Sequence, residues 1–190
     1  MTGVTGWVRE CRAVDLPALD AAFPLGNAHS ERLDGQAAGR WLYLIAFEPA
    51  AVGSGMVQPD AFESDAFGPG VVVGHCLVHW DGPIMASVRT GLPDCVEINH
   101  LQVLARSRGH GAGSALLAEA ELNAVVRRRP IIGLGVGDDN PRARKLYLSL
   151  GYAPSGVRYA VDYEYLDEAG EPVSAHEAGD FLIKSLAEWR

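Results

Sequence analysis

The chain has 190 residues, of which 48% are hydrophobic and 21% are charged, and its formal net charge is −8. These values are typical of a soluble globular protein with a sizeable core, and we expect one domain over residues 1–190. The acidic balance argues against a nucleic-acid binder, which normally carries a basic patch, and no apolar run in the sequence reaches the ~20 residues that span a bilayer.

The N-terminal segment and the cysteines both bear on the compartment. The first 15 residues carry charges where a signal peptide needs an apolar stretch, so we expect a cytoplasmic protein. Cys11, Cys76 and Cys95 are odd in number and form no C-x-x-C pair. This pattern argues against a disulfide framework and against a thiolate zinc site.

The first half of the chain is predicted to contain more strand than helix. Hydrophobic patterning predicts strands over residues 8–14, 41–47 and 71–80. Asp15 is suited to cap a short helix that ends at Pro24, and a second short helix is expected over residues 30–38. Residues 53–70 contain four glycines and two prolines and are predicted to form a loop, either a lid or a segment without fixed order.

The second half alternates strands and helices. Strands are predicted over residues 95–104, 131–136, 157–166 and 179–186. Helices are expected over residues 111–128 and 141–150; Pro141 suits a first helical position and Gly151 a C-terminal stop. The last two strands flank an acidic turn at residues 167–172. The order of elements predicts a mixed α/β chain with a central strand-helix-strand-helix unit.

A glycine-rich turn joins the strand over residues 95–104 to the helix that follows, with glycines at positions 109, 111 and 113. Glycine lets the backbone approach a ligand closely, and the unpaired N–H groups of a first helical turn favour an anion. Arg106 and Arg108 can add charge-assisted contacts. The turn therefore predicts a phosphate-binding cradle; the alternative is a tight turn without a ligand.

Two other phosphate-binding motifs fit this turn poorly. A P-loop ends in Gly-Lys-Ser/Thr, whereas Ser114 and Ala115 follow Gly113 here. The dinucleotide fingerprint G-x-G-x-x-G has a different glycine spacing and needs an acidic residue about 20 residues later. The spacing therefore disfavours a nicotinamide oxidoreductase.

Two motifs resemble the GNAT superfamily of N-acetyltransferases. The segment from Arg108 to Gly113 is similar to the family's R/Q-x-x-G-x-G/A pyrophosphate signature, and residues 140–152 are similar to its N-x-x-A-x-x-x-Y-x-x-x-G-F/Y segment. The resemblance implies a mixed, mostly antiparallel sheet of about six or seven strands, flanked by helices and splayed between strands 95–104 and 131–136. It also implies acetyl-CoA as the acyl donor.

The same resemblance assigns the end of the strand to the pantetheine arm and the turn to the pyrophosphate. The residues that would contact CoA are Val103, Leu104, Ala105, Arg108, Gly109, His110, Gly111, Ala112, Gly113, Ser114, Asn140 and Arg144. A backbone N–H near Val103 or Leu104 would stabilise the oxyanion that develops during acyl transfer.

Tyr147 is the candidate general acid. Transfer from a thioester to an amine benefits from a proton for the leaving thiolate. Asn140 and Tyr147 lie about two helical turns apart and share a face, with Arg144 between them where it could reach a phosphate. The resemblance implies that the tyrosine lies beside the sulfur; the alternative is a tyrosine that packs in the core.

Glu97 is the candidate general base. It lies eleven residues before Arg108, where several members of the resembled family carry a catalytic glutamate. Strand alternation predicts that residues 97, 99, 101 and 103 share one face, with His100, a second candidate base, on the other. Burial would raise the pKa of Glu97 toward the working range of a base. The alternative is a solvated carboxylate at a strand edge.

His75 and His79 lie four residues apart and share a strand face. A metal site needs further ligands at a clear spacing, and the sequence offers none. We therefore expect no metal.

The sequence thus predicts an acetyl-CoA-dependent N-acetyltransferase that modifies a primary amine of a small molecule or peptide by direct attack in a ternary complex. A non-catalytic CoA-binding sensor is the alternative. By resemblance, residues 27–36 and 158–176 shape the acceptor site; their acidic side chains either attract a cationic amine or are simply solvated. Neither a nucleic acid nor a membrane is an expected partner, and a homodimer is an open alternative to a monomer.

Overall fold

The structure, a computed structural model, describes residues 6–49, 62–64, 68–166 and 172–187. Eight strands within these ranges form one sheet: β1 (Trp7–Glu10), β2 (Trp41–Pro49), β3 (Phe62–Ser64), β4 (Gly68–His79), β5 (Cys95–Val103), β6 (Ile131–Gly137), β7 (Ala153–Leu166) and β8 (Pro172–Ser185). The order along the sheet is β1-β2-β4-β5-β6-β8-β7, and the short β3 pairs with β4.

Antiparallel pairing dominates this sheet. Among the described strands, β5 and β6 form the one parallel pair, and the other neighbours run antiparallel. The predicted fold class is therefore confirmed: a mixed, mostly antiparallel sheet flanked by helices. The path has seven strands, and β3 adds a short eighth at its side.

Five α-helices of the described part of the chain cover the sheet: α1 (Leu16–Ala22), α2 (Ala28–Ala37), α3 (Ala86–Gly91), α4 (Ala112–Val126) and α5 (Pro141–Ser149). Short 3-10 turns precede α1 at Ala13–Asp15 and α4 at Ala105–Ser107. No helix in the described ranges is long and apolar enough to cross a membrane.

Strand alternation divides the core between the two faces of the sheet. On β2, Leu42, Leu44 and Ala46 face the cluster that contains Leu116 and Leu117 of α4. The intervening side chains Tyr43, Ile45 and Phe47 face a second cluster that contains Leu19 of α1. We call these the α4 face and the α1 face. Further along the α1 face, Val88 of α3 packs with Tyr159 of β7 and Phe181 of β8.

The sheet splits at its centre. β5 pairs with β6 only over Cys95–Ile131, Val96–Ile132 and Glu97–Gly133. Beyond these pairs β5 continues alongside β4 to Val103, and β6 continues alongside β8 to Gly137. The splay expected between residues 95–104 and 131–136 is therefore present, and it opens the sheet toward the glycine-rich turn.

Two predicted boundaries near the N-terminus differ from the structure. The first strand ends at Glu10 instead of residue 14, because the chain turns where the Asp15 carboxylate accepts hydrogen bonds from the Arg12 N–H at 2.7 Å and from the Arg9 guanidinium. The predicted cap residue thus holds this turn and not the first N–H groups of α1, for which its side chain makes no capping bond.

The segment predicted as a loop at residues 53–70 is only partly a loop. Phe62 pairs with Gly70 and Ser64 with Gly68, so its end belongs to the β3–β4 hairpin. The pairing satisfies backbone groups that the glycine and proline content had suggested would stay unpaired. Residues 50–61 and 65–67, which include the rest of that segment, and the acidic turn at 167–171 lie outside the described residues.

The sequence patterns also missed structure in three places. The single-turn helix α3 follows the Asp81-Gly82-Pro83 turn, and six residues carry too little periodicity to be recognised. β7 begins at Ala153 instead of residue 157, and β8 at Pro172 instead of residue 179. These extensions lie in a long hairpin held by backbone pairing, from Leu166–Pro172 to Ala153–Ile183.

Candidate active site

A cleft of about 770 Å³ lies where β5 and β6 separate. Its walls come from the end of β5, the glycine-rich turn, the first turn of α4, one side of α5, and α1. The lining residues are Phe23, Leu101, Gln102, Val103, Leu104, Ala105, Ser107, Arg108, Gly109, Gly111, Gly113, Ser114, Asn140, Arg142, Ala143, Leu146 and Tyr147. This volume lies within the range of ligand-binding pockets.

One edge of β5 offers hydrogen-bonding groups to this cleft. In a strand, the N–H and C=O of alternate residues point to opposite neighbours. Past Glu97, β5 has β4 on one side and no described strand on the other. Alternate backbone groups up to Val103 therefore face the split and are available to a ligand such as an extended chain of amides.

A bulge in β5 changes the predicted arrangement of side chains. His100 has φ of +50°, which interrupts the regular alternation of the strand. Val96 and Ile98 lie in the α4-face core, and Leu101 and Val103 pack against that same core. The prediction that residues 97, 99, 101 and 103 share a face is therefore wrong. Glu97 and His100 instead share the α1 face.

The glycine-rich turn has the geometry of an anion cradle. Gly109 and Gly111 have φ of +87° and +94°, a region that favours glycine, and Gly111 caps the start of α4. The first N–H groups of α4 have no partner within the helix, and the helix dipole adds positive potential at this end. A Cβ built on Gly111 would meet no atom within 4 Å, so the backbone here faces open space.

Gly113 has a different role from the other two glycines. It lies inside α4 without a positive φ, and a Cβ there would sit at ordinary contact distances of 3.6 Å from Leu146 and 3.8 Å from Val103. An alanine would fit at this position. Only the glycines at 109 and 111 are required by backbone conformation.

The arginines near the cleft are arranged differently from the sequence expectation. Arg108 lines the cleft, and its Nε donates to the Val103 carbonyl at 3.0 Å. Arg144 does not line it; its guanidinium is hydrogen-bonded to Asp180. Arg142, two residues earlier on α5, lines the cleft, and its Nη2 lies 3.9 Å from a Cβ built on Gly109. Arg142 is thus the α5 arginine closest to the cradle.

Most of the other residues predicted for the site, for CoA contact or for catalysis, do line the cleft. Those found there are Val103, Leu104, Ala105, Arg108, Gly109, Gly111, Gly113, Ser114, Asn140 and Tyr147. His110, Ala112, Arg144 and Glu97 are not among the lining residues. Ala112 packs against the α4-face core instead. The sequence patterns missed Phe23 and Gln102, which belong to no motif, and Arg142, which occupies an unspecified position of the segment at residues 140–152.

Asn140 and Tyr147 lie on the same wall of the cleft, as their spacing predicted. The Asn140 Oδ1 accepts a hydrogen bond from the Ala143 N–H at 3.1 Å, so Asn140 caps α5. Tyr147 is 8% exposed, and burial raises the pKa of its hydroxyl to about 12. Among the described residues this hydroxyl has no hydrogen-bond partner. It is therefore protonated at neutral pH and free to donate.

Glu97 is buried, with 3% of its surface exposed. Its Oε2 accepts a hydrogen bond from the Ile84 N–H at 2.8 Å. Burial raises the pKa of the Glu97 carboxyl, and this effect outweighs the opposing hydrogen bonds from Ile84 and Asn99. The alternative of a solvated strand-edge carboxylate does not describe this side chain.

The histidines of β4 lie on the α1 face. His75 is fully buried against Phe23, His29 and Tyr43, with ring centroids 4.7 to 5.8 Å apart. His79 packs on Trp41 at 5.2 Å. No group of three or more metal-ligating side chains occurs among the residues that the structure describes.

Comparison with known proteins identifies the family and the fold. Residues 53–152, which include both motifs, match the family described as the acetyltransferase (GNAT) family. A solved N-acetyltransferase from Staphylococcus aureus Mu50 superposes with a TM-score of 0.64 at 13% identity, over 96% of this chain and 99% of that chain. No curated protein matches the sequence.

Two further solved structures share this fold. One is a phosphinothricin acetyltransferase from Sinorhizobium meliloti in complex with acetyl-CoA: TM-score 0.63, 17% identity, 97% of this chain and 90% of that chain. The other is a ribosomal-protein-alanine N-acetyltransferase from Brucella melitensis: TM-score 0.59, 20% identity, 94% of this chain and 98% of that chain. At these identities the likeness concerns the fold alone.

Proposed function

The chain belongs to the GNAT family of acetyltransferases, and on that premise we propose how its cleft moves an acetyl group to an amine. It is an acetyl-CoA-dependent N-acetyltransferase. The observation that carries the proposal is that the cradle of Gly109 and Gly111, at the open end of the β5–β6 split, and Tyr147 line one and the same cleft.

The residues of the cleft fit CoA in charge and shape. We assign the pyrophosphate to the N–H groups at the start of α4, with Arg108 and Arg142 supplying positive charge. The pantetheine arm, which carries amides, suits the unpaired backbone edge of β5 near Val103. The hydrophobic side chain of Leu146 and the small Ala143 leave a wall against which the arm packs. Acetyl-CoA then supplies an acyl group activated as a thioester.

Tyr147 acts in this proposal as the general acid. A phenol with a pKa of about 12 keeps its proton at neutral pH, so it can donate to the thiolate as the C–S bond breaks. Its partner-free hydroxyl requires no existing hydrogen bond to be broken first. A backbone N–H near Val103 or Leu104 supports the carbonyl oxygen as negative charge develops there.

Glu97 acts as the base that accepts a proton from the attacking amine. It shares the α1 face with His79 and His100, which places it on the side of the split opposite α4. Since Glu97 does not line the cleft in this structure, the proton reaches it through an intervening group.

The amine attacks the thioester carbonyl directly in a ternary complex, because no cysteine among the described residues is exposed to carry the acyl group: Cys11, Cys76 and Cys95 are buried.

The acceptor is a primary amine of a small molecule or a peptide. The fold neighbours do not narrow the acceptor further, since one is named for phosphinothricin and another for the alanine of a ribosomal protein.

We also propose a cytoplasmic location, supported by three free thiols, and a single domain over the chain. A homodimer remains the alternative to a monomer, and sedimentation equilibrium would distinguish the two.

The transfer step is tested by Tyr147→Phe. We expect kcat for acetyl transfer to fall about a hundredfold, because a positioned general acid contributes at least that much, with little change in the Kd for acetyl-CoA. Release of CoA over an amine panel measures transfer, and calorimetry measures binding.

Tyr152→Phe is the matched control for that experiment. The Tyr152 ring lies 6.2 Å from that of Tyr147, yet its hydroxyl is buried and does not line the cleft. Its kcat should stay near the wild-type value. If Tyr147→Phe and the wild type have equal kcat, Tyr147 is not the general acid and only packs in the core. Binding of acetyl-CoA by the wild-type protein without transfer to any amine would favour the CoA-binding sensor.

A further inference from the structure

Arg32 of α2 is a buried cation without a counterion. Only 9% of its surface is exposed, and its Nη1 is buried with no hydrogen-bond partner. No carboxylate among the described residues forms an ion pair with it. Its backbone is held in place, because the Trp41 indole N–H donates to the Arg32 carbonyl at 2.6 Å.

Other enclosed cations of this protein are compensated. Arg9 is paired with the fully buried Asp15 at 2.6 Å, and Lys184 is paired with the buried Glu121 at 2.6 Å. Burying a charge without a partner is strongly unfavourable, and proteins avoid it unless an opposite charge or hydrogen bonds compensate the lost hydration. The contrast indicates that no described residue neutralises Arg32, and that a bound ligand can supply the missing negative charge.

Arg32 lies on the α1 face of the sheet and is not among the residues that line the cleft. Its guanidinium carbon is 6.0 Å from the centre of the Tyr43 ring. The Tyr43 ring contacts that of His75, and His75 contacts Phe23 at 4.7 Å between centroids. Phe23 lines the cleft, as does Gln102, the cross-strand partner of His75. A short path of contacts therefore joins Arg32 to the cleft beside Leu101.

The two histidines near Arg32 add no charge of their own and do not neutralise the guanidinium. Burial, followed by the positive charge of Arg32, lowers the pKa of His75 to about 3. Loss of hydration and the same charge lower the pKa of His100 to about 4. Both rings are therefore neutral at physiological pH.

Carboxylates are present nearby but do not neutralise the guanidinium. Asp20 acts on Tyr43 and Asp81 acts on His79 through their charges, and neither is paired with Arg32. The two ring nitrogens of His75 make no hydrogen bond of normal geometry in the described part of the chain, although the Gln102 side chain is near enough to oppose the lowering of the His75 pKa. A neutral imidazole offers one donor, so the cluster presents one full positive charge and an additional N–H.

We propose that the acceptor amine carries a carboxylate, and that Arg32 binds this carboxylate on the α1 side of the cleft while the amine faces the thioester. The inference rests on the proposed N-acetyltransferase function and narrows its substrate to amino-acid-like amines. It replaces the expectation of a cationic acceptor drawn to acidic residues of the same region. Glu31 and Asp34 are exposed on α2, whereas the buried charge of that helix is positive.

The proposal is tested with sets of three related amines. Each set contains a free amino acid, its carboxamide and the decarboxylated amine, and CoA release is measured with the full-length protein. We expect at least one amino acid to be acetylated with a kcat/KM about tenfold or more above that of its carboxamide, since charge-assisted hydrogen bonds carry this discrimination.

Arg32→Met removes the charge and keeps much of the side-chain length. It should raise the KM of the accepted amino acid about tenfold or more, abolish the preference over the carboxamide, and leave the Kd for acetyl-CoA unchanged. Arg40→Met is the matched control. Arg40 is exposed and follows the end of α2 by three residues, and its guanidinium lies 4.8 Å over the Trp41 ring, outside the cluster. The Arg40→Met variant should prefer the amino acid over its carboxamide to the same degree as the wild-type protein.

Thermal unfolding separates this role from a structural one. Without substrate, Arg32→Met should be at least as stable as the wild type, because it removes an uncompensated buried charge; a stabilising structural arginine would lower Tm when replaced. The accepted amino acid should raise the Tm of the wild type but not of Arg32→Met.

Three results would overturn the carboxylate site. They are equal use of acid and carboxamide, a preference that survives in Arg32→Met, and the absence of transfer to every amino acid. Transfer to carboxamides or polyamines alone would leave the N-acetyltransferase function intact. Failure of the wild-type protein to bind acetyl-CoA in calorimetry would instead refute the proposed function.

Discussion

Two buried ionisable side chains on either side of the sheet serve opposite ends of the proposed reaction. Burial raises the pKa of both Tyr147 and Glu97. For the tyrosine this keeps the proton in place, which an acid requires. For the glutamate it brings the carboxyl closer to neutral pH, where a carboxylate becomes a stronger base. One physical cause, removal from water, therefore suits each residue to its assignment.

Glu97→Gln tests the base. The glutamine oxygen can still accept the hydrogen bond from the Ile84 N–H, so the fold should persist. In the wild type the carboxylate must be ionised, so kcat/KM should rise with pH through a pKa above the ordinary carboxyl range. The variant should lose most of its rate together with that limb of the pH profile, keeping only the limb set by the amine itself. Superimposable pH profiles would remove Glu97 from the mechanism.

At the scale of single residues, the sequence predicted which backbone positions line the cleft better than it predicted the direction of side chains. The glycines, Asn140 and Tyr147 were found because their spacing alone places them at a turn or on a helix face. Arg144 was assigned to phosphate from its place between two site residues, yet it is paired with Asp180, a partner 36 residues away in sequence. No sequence pattern singles out Arg32 as a site residue, because a lone arginine in a polar helix gives no sign of being buried.

At the scale of elements, β5 organises the site. Its first three residues hold β6, the bulge at His100 rotates the rest of the strand, and the remainder faces the cleft. No alternation rule predicts a non-glycine residue with φ of +50°, and this single residue moved Leu101 and Val103 to the opposite face from Glu97. One irregular residue thereby separates the faces of β5 on which Glu97 and Val103 lie.

Helix α5 allows a paired test of the arginine assignments. Arg142→Ala should weaken acetyl-CoA binding about tenfold, because it removes a cation beside the cradle. Arg144→Ala should change that Kd little and instead lower thermal stability slightly, because it breaks the ion pair with Asp180. Titration calorimetry and a thermal melt of each variant measure the two effects. The reverse pattern would restore Arg144 to the phosphate site.

Elements with strong end signals were predicted within a few residues. Helix α4 carries a clear apolar row, helix α5 starts with a proline and is followed by Gly151, and β2 and β6 are short apolar runs. The failures lie where tertiary pairing creates the structure. The β3–β4 hairpin and the early part of β8 have weak local preferences, and a partner strand supplies their hydrogen bonds.

At the scale of the whole molecule, the protein is a sheet built in two parts and left open between them. The first part contains β1 to β5 and the second contains β6, β8 and β7, joined by three residue pairs of β5 and β6. Helix α4 leads from the first part to the second and begins at the open end of the split. The position of the cradle therefore follows from the topology. The sequence of residues 95–152 predicted both the splay of the sheet and the glycine-rich turn.

The central claim is that this opening binds acetyl-CoA through the cradle at Gly111. Gly111→Asp places a carboxylate where the pyrophosphate would lie, and Gly111→Asn places an uncharged side chain of the same shape at the same positive φ. Since both meet open space and share the backbone strain, their difference isolates charge. Calorimetric titration with acetyl-CoA should show Gly111→Asp binding about a hundredfold or more weaker than Gly111→Asn. Equal affinity of the two variants, at the wild-type value, would contradict the account.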